Sequence, residues 1–181
     1  PRMQGQLFAA QTIGIIGLGH IGKRVARLSQ AFDARVIAHD PHIDPTSHGV
    51  ESVSLEELFA KANVISLHVP YTTDTHHLLD AKSFARMKPG SIIINAARGG
   101  LIDEAALDEA LISGHLGMAA LDVFEQEPYH GPLTKNDRMI LTSHIGSLAK
   151  ESRKRMELEA AGNLLKGLIN AGLIKDNQTN V

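Results

Sequence analysis

The sequence predicts an α/β protein built on a doubly wound parallel sheet, and three observations predict it. Short apolar runs recur at 12–16, 35–39, 64–67, 91–95, 118–121 and 138–142. Runs of this length with little polar alternation read as strands buried on both faces. Helical patterns separate most of them, and strands alternating with helices argue for parallel pairing through right-handed crossovers. Several strand ends carry charged or chemically active residues, and ligands bind outside the carboxyl ends of the strands in such sheets.

The first unit is the most informative. The strand Thr12–Ile16 runs into Gly17, Gly19 and Gly22, spaced G-x-G-x-x-G, and a helix follows over 20–32. Ile21, Val25, Leu28 and Phe32 recur at helical spacing and make its apolar stripe. Strand, glycine turn and helix form the context in which this motif means dinucleotide binding. Gly17 allows the tight turn, Gly19 lets a pyrophosphate approach the backbone, and Gly22 lets the helix pack closely on the strand. The phosphates then meet free N–H groups and the positive end of the helix dipole. The second strand, Arg35–His39, ends in Asp40, 18 residues after Gly22. An acidic residue about 20 residues on holds the ribose hydroxyls. Its charge repels a 2′-phosphate and no arginine follows it, which favours NAD over NADP.

The remaining elements follow in order. Residues 1–11 are a lead-in without a strong period, and 40–49 are turn-rich. Leu55, Leu58 and Phe59 mark a short helix, with Ser54 and Glu57 as a capping box. The strand 64–67 stops at His68-Val69-Pro70. A short helix over 80–87 is closed by Pro89-Gly90. The strand 91–95 runs into the turn Ala96-Ala97-Arg98-Gly99-Gly100. A helix over 103–113 carries acidic residues in its first turn, with Gly114 just past its end. The strand 118–121 ends at Asp122, and the strand 138–142 is followed by His144. A long charged helix spans 149–168, and the tail 176–181 is polar and loose.

Composition narrows the classes. At 181 residues with 43% apolar content, the chain suits one domain with appendages and can bury a sizeable core. A net charge of −2 gives no sign of a nucleic-acid surface. No apolar stretch reaches membrane-span length. The absence of cysteine rules out disulfides and thiolate metal sites and fits a reducing, cytoplasmic setting. The chain begins with Pro1 rather than Met, which reads as a piece of something longer.

The strand ends supply a reactive set. If the sheet is parallel, Arg98, Asp122, Glu127 and His144 converge on one edge beside the cofactor. Ketone–alcohol interconversion by hydride transfer moves one proton at oxygen, and a histidine, here His144, can give or take it near neutral pH. Glu127 hydrogen-bonds the other ring nitrogen and fixes the tautomer. Arg98 offers a fork of donors that matches a carboxylate. His76 and His77, adjacent in a polar loop, are expected to face solvent, and His39 and His42 are assigned no chemistry. No His/Asp/Glu set has spacing that suggests a metal.

The segments GIIGLGHIG, HVPYTTDTHHLLD, INAARGGLIDEAAL, ALDVFEQEP and LTSHIGS, spread over roughly 6–155, resemble the cofactor domain of the D-isomer-specific 2-hydroxyacid dehydrogenases. That resemblance implies a Rossmann domain, with Arg98 binding the substrate carboxylate and carbonyl, Glu127 supporting the histidine and His144 as the acid–base. It places His20 and Ile21 at the pyrophosphate, Asp40 at the ribose, and Val69 and Pro70 under the adenine side. Ala96, Ala97 and Arg98 fall near the nicotinamide, Asp122 at the carboxamide, and Gly146 and Ser147 close by. It also implies a homodimer, formed through cofactor domains. Two positions depart from the pattern: Ser143 stands where proline is common and Ala149 where threonine is common. Glu127 is present where the related formate dehydrogenases carry glutamine, which speaks against formate.

A larger departure is length. Only 11 residues precede Thr12, whereas full members carry a long stretch there that builds most of a separate substrate domain. The expected organisation is an NAD-binding domain over 1–148, then a crossing helix and tail over 149–181 that link to a mostly absent substrate domain. The expected function is NAD-dependent hydride transfer between a D-2-hydroxy acid and its 2-keto acid, with little turnover by the isolated chain. The alternative is an NAD-sensing or dimerising module of the same family.

Overall fold

Six apolar runs form the strands they predict, and a seventh, very short strand joins them. In chain order the elements of the sheet unit are β1 (Thr12–Ile16), α1 (His20–Ala31), β2 (Arg35–His39), β3 (Glu51–Ser52), α2 (Leu55–Lys61), β4 (Val64–Leu67), α3 (Ala81–Arg86), β5 (Ser91–Asn95), α4 (Glu104–Ile112), β6 (Leu116–Leu121) and β7 (Met139–Leu141). They belong to a computed structural model that describes residues 5–174. The chain divides into two compact units, Pro1–His144 and Ile145–Val181.

All strand pairs are parallel, in the order β3-β2-β1-β4-β5-β6-β7. The chain starts in the middle and winds outward in both directions, so the winding reverses between β1 and β4, where a crevice opens at the carboxyl ends. Ile13 pairs with Val36 on one side and Val64 on the other. The alternation of β1 sends side chains to two cores. Ile13 and Ile15 join Leu18, Ala26 and Val36 on one face, while Ile16 joins Leu58, Ile65, Leu67 and Ile93 on the other. A parallel sheet covered on both faces needs apolar residues at successive positions.

The helix caps follow the sequence closely. Ser54 Oγ accepts the Glu57 N–H at 3.2 Å and Glu57 Oε2 accepts the Ser54 N–H at 3.1 Å. Asp80 and Asp103 cap α3 and α4 by accepting the N–H groups of Ser83 (2.8 Å) and Ala106 (3.0 Å). Each such cap is worth about 1 kcal/mol.

The structure corrects the reading of α1. Its buried residues are Gly22, Ala26 and Ser29, a small-residue face that lets the helix axis approach the sheet. Of the predicted stripe, Val25 packs against the core that holds Ala26, whereas Ile21, Leu28 and Phe32 point outward, 67%, 55% and 66% exposed. Phe32 meets Phe8 edge to face, centroids 6.0 Å apart. β3 was not predicted, because both its residues are polar and exposed.

In the second unit, α5 (Lys150–Asn170) carries an i,i+4 pair, Arg153–Glu157, at 3.1 Å. It ends at Gly172, in a left-handed conformation, with the Leu173 N–H on the Leu168 carbonyl at 2.9 Å. The tail expected to be loose, 176–181, lies outside the described residues. No described helix is long and apolar enough to cross a membrane.

Candidate functional site

Because every strand runs the same way, the ends of β1, β2, β4, β5, β6 and β7 share one edge of the sheet, and the predicted site residues of the first unit follow those ends. The glycine turn comes first. Gly17 has φ +92°, and a Cβ there would lie 2.6 Å from Val69 Cγ1 and 2.7 Å from the His68 carbonyl oxygen. A Cβ on Gly22 would lie 2.1 Å from the Gly17 carbonyl oxygen. These two glycines are required by the protein itself. Gly19 differs: a Cβ there would meet no atom within 4 Å. The open space lies at the N-cap of α1, where no side chain caps the helix. An uncapped N-terminus with room above it suits a phosphate group, which can accept its free N–H groups. His20 and Ile21 open the helix with exposed side chains.

Asp40 ties this turn to the end of β2. Its Oδ2 accepts the Leu18 N–H at 2.6 Å, and its Oδ1 accepts the N–H groups of His42 (2.8 Å) and Ile43 (2.9 Å). Burial works to raise its pKa, but these three backbone donors outweigh it and hold the carboxyl below its usual value. The group is thus a fixed carboxylate beside the glycine turn, with lone pairs left for ribose hydroxyls.

After β4, His68 and Val69 pack beside the turn, and Pro70 is exposed. His68 was not singled out from the sequence. Its Nε2 lies 2.9 Å from Ser66 Oγ, and burial lowers its pKa. Its place at a strand end was the available signal.

Arg98 sits on a turn built by a buried asparagine that sequence reasoning also missed. Asn95 Oδ1 accepts the Ala97 N–H at 3.0 Å, and its Nδ2 donates to the Arg98 carbonyl at 2.9 Å. Ala96 and Arg98 are exposed and Ala97 is half-buried. The Arg98 guanidinium donates to the Ala97 carbonyl at 2.5 Å. Asp122, at the end of β6, accepts from Thr142 Oγ1 at 2.5 Å.

Glu127 and His144 meet as expected, with Glu127 Oε2 2.9 Å from His144 Nδ1. Glu127 Oε1 accepts the Phe124 N–H at 3.1 Å. The His144 bond, and next the Phe124 N–H, lower the Glu127 pKa. His144 sits in a left-handed conformation, φ 55°. The pair engages Nδ1 of the ring, and both side chains remain open, 48% and 38% exposed.

Gly146 and Ser147 belong to the second unit, in an exposed turn closed by the Leu148 N–H on the Ile145 carbonyl at 2.9 Å. His76 is exposed as expected, whereas the expectation that His77 simply faces solvent is corrected. His77 Nε2 forms a short contact with Glu125 Oε1, and His76 Nδ1 lies 3.2 Å from Tyr71 Oη. Their loop folds back on the 124–128 turn, a long-range contact that local polarity did not signal. Among the described residues, no group of three or more His, Asp or Glu is placed to hold a metal.

Comparison with known proteins agrees with this geometry. The family profile of the D-isomer specific 2-hydroxyacid dehydrogenase, NAD binding domain, matches residues 1–146. A hydroxypyruvate reductase of Thermotoga maritima is 41% identical over 170 residues, 92% of this chain and 56% of that protein. A D-3-phosphoglycerate dehydrogenase of Mycobacterium tuberculosis is 41% identical over 174 residues, 90% of this chain and 33% of that protein. The chain thus spans between a third and a little over half of these relatives. Among solved structures, a glyoxylate reductase from Paecilomyes thermophila superposes with a TM-score of 0.88 at 40% identity, over 94% of this chain and 52% of that one. A D-lactate dehydrogenase from Aquifex aeolicus, complexed with NAD and lactic acid, gives a TM-score of 0.83 at 32% identity, over 94% and 56%. With its glycine turn, its fixed carboxylate at Asp40 and its Glu127–His144 pair, the chain belongs to the NAD-binding domain family of the D-isomer specific 2-hydroxyacid dehydrogenases.

Proposed function

We propose that this chain is the cofactor-binding part of an oxidoreductase that interconverts a D-2-hydroxy acid and its 2-keto acid, and that it carries the proton-transfer and carboxylate-binding groups of that reaction. The observation that carries the reading is the Glu127–His144 pair, 2.9 Å apart, at the same sheet edge as the glycine turn. NAD fits the turn: the Gly19 cradle and free N–H groups of α1 take the pyrophosphate, Asp40 the ribose, and Val69 and Pro70 the adenine side. Ala96, Ala97 and Asp122 are assigned to its nicotinamide end. When bound, NAD accepts or returns the hydride of the substrate C2–H.

The chain's own residues do the rest. In the oxidation direction, neutral His144 takes the hydroxyl proton on Nε2 as the C2–O bond gains double-bond character. Glu127, ionised, stabilises the imidazolium through Nδ1–H. In reduction the same proton returns to the carbonyl oxygen. Arg98 turns from its Ala97 contact to bind the substrate carboxylate in a two-pronged bond. The open site of the isolated chain favours binding over turnover, because closure against a second domain orients substrate and excludes water. A homodimer has a surface to use, the outward stripe of Ile21, Leu28 and Phe32 on α1. The sensing-module alternative draws no support from a site that retains Arg98, Glu127 and His144 together.

The test is an NADH fluorescence titration of this chain, followed by addition of glyoxylate, pyruvate or hydroxypyruvate. Saturable binding is expected, with slow or no oxidation of NADH. Absence of binding would overturn the cofactor assignment. Binding by an Asp40→Ala variant as tight as wild type would overturn the ribose assignment.

A further inference from the structure

The turn that carries Glu127 is held from outside by residues that touch neither cofactor nor substrate in the proposed mechanism. Phe124 and Glu127 close the turn between themselves, but Glu125 is anchored twice more. Its N–H donates to Glu104 Oε1 at 2.8 Å, from the first turn of α4, and its carboxylate meets His77 Nε2. His77 has φ 49°, a left-handed conformation rare for a residue with a Cβ, and its N–H donates to the Gly100 carbonyl at 2.9 Å. Such backbone is strained and persists only where surrounding contacts fix it. The Phe124–Glu125 peptide also lies flush against the Arg98 turn. A Cβ on Gly99 would fall 1.9 Å from the Phe124 carbonyl carbon and 2.4 Å from the Glu125 nitrogen. One peptide therefore joins the Arg98 turn, the Glu127 turn and the start of α4.

We infer that Glu104 is a positioning residue for the proton-transfer pair: its carboxylate, gripping the Glu125 N–H, sets the turn from which Glu127 reaches His144. His77 is the second anchor of the same turn. Glu104 gives up hydration for this place. Burial raises its pKa most, the Glu125 N–H lowers it, the Glu125 charge raises it and the His77 charge lowers it, with a net rise. A surface carboxylate serving only solubility would not be drawn in between a helix start and a neighbouring turn. The inference rests on the proton-transfer reading of Glu127 and His144, and its test needs no turnover.

The test is a carboxyl-carbon NMR titration of Glu127 in this chain. The groups acting on Glu127 are His144, the Phe124 N–H and Asp122; those acting on Glu104 are Glu125 and His77. Sign separates positioning from simple charge. Removing the negative charge of Glu104 lowers the Glu127 midpoint, if it acts at all, whereas loosening the turn weakens the His144 and Phe124 bonds and raises it. Glu104→Ala is expected to raise the midpoint. Glu104→Gln, which still offers an oxygen to the Glu125 N–H, is expected to leave it level or lower it slightly. Glu104→Asp keeps the charge but falls a methylene short, and is expected to raise it; this variant decides the matter if the alanine variant fails to fold. An unchanged or lowered midpoint in Glu104→Asp, or in a folded Glu104→Ala, would overturn the inference. Failure to oxidise NADH with any keto acid in a protein that includes the substrate domain would sink the enzymatic reading and leave this result standing.

Discussion

Glu127 divides its two oxygens between His144 and its own turn: Oε2 lies 2.9 Å from His144 Nδ1, and Oε1 accepts the Phe124 N–H at 3.1 Å. The histidine is thus oriented by a carboxylate that is itself oriented. Replacing His144 by alanine removes the proposed proton carrier. In a protein that includes the substrate domain, its rate is expected to fall by about 10²–10⁴, while NADH affinity stays near wild type. Steady-state kinetics beside a fluorescence titration check both halves. Turnover that survived at neutral pH would show that another group moves the proton.

Asp40 has two tasks, and one substitution reads both. The carboxylate accepts three backbone N–H groups, including Leu18 of the glycine turn, and faces the ribose in the proposed complex. Asp40→Ala is expected to weaken NADH binding by roughly 1.5–3 kcal/mol, the worth of a charged hydrogen bond. It is also expected to lower the melting temperature of the free chain, because the Leu18 N–H loses its acceptor. Weaker binding without any loss of stability would mean that the turn holds its shape unaided.

Asn95 is expected to behave as part of the Arg98 turn. It is fully buried, and its amide bonds both the Ala97 N–H and the Arg98 carbonyl. Asn95→Ala leaves those groups without their partner, at a cost of about 1–3 kcal/mol if they stay buried. Urea denaturation measures that loss. In the substrate-binding protein, KM for the keto acid should rise, because Arg98 loses its fixed approach. A variant as stable as wild type would show that water replaces the amide at no cost.

What could be read from the sequence was what local pattern encodes. β1, β2, β4 and β5 are apolar runs, the capping box of Ser54 and Glu57 obeys a short-range hydrogen-bond rule, and the glycine spacing carries its own context. The inward face of α1 was misread for a physical reason. Close packing on a sheet selects Gly22, Ala26 and Ser29, so three of the four larger residues of the hydrophobic period, Ile21, Leu28 and Phe32, mark the outward side. β3 is two polar residues paired through the backbone, and backbone pairing leaves no mark on hydropathy. The contact of Glu127 with His144 was legible because both follow strand ends that a parallel sheet brings to one edge. Asn95, His77 and Glu104 were not, because their roles exist only once distant turns are brought together.

His68 gives the pH prediction. Burial lowers its pKa from the usual imidazole value, so the folded state resists the proton that the unfolded chain accepts near about pH 6.5. The stabilisation is fully present above the unfolded value. It is lost as pH falls from there through the folded value, because protons then favour the unfolded chain. Urea unfolding of wild type is therefore expected to show a larger loss of stability between about pH 7.5 and about pH 5.5 than unfolding of His68→Gln, which has nothing to titrate there. The other nine histidines act in both proteins and cancel in the comparison. Equal losses would mean that the ring is solvated in the folded state. A larger loss in wild type would place an uncharged imidazole at the strand end beside Gly17, on a residue whose backbone N–H donates to the Ile16 carbonyl at 2.7 Å and whose backbone carbonyl oxygen leaves no room for a Cβ on Gly17.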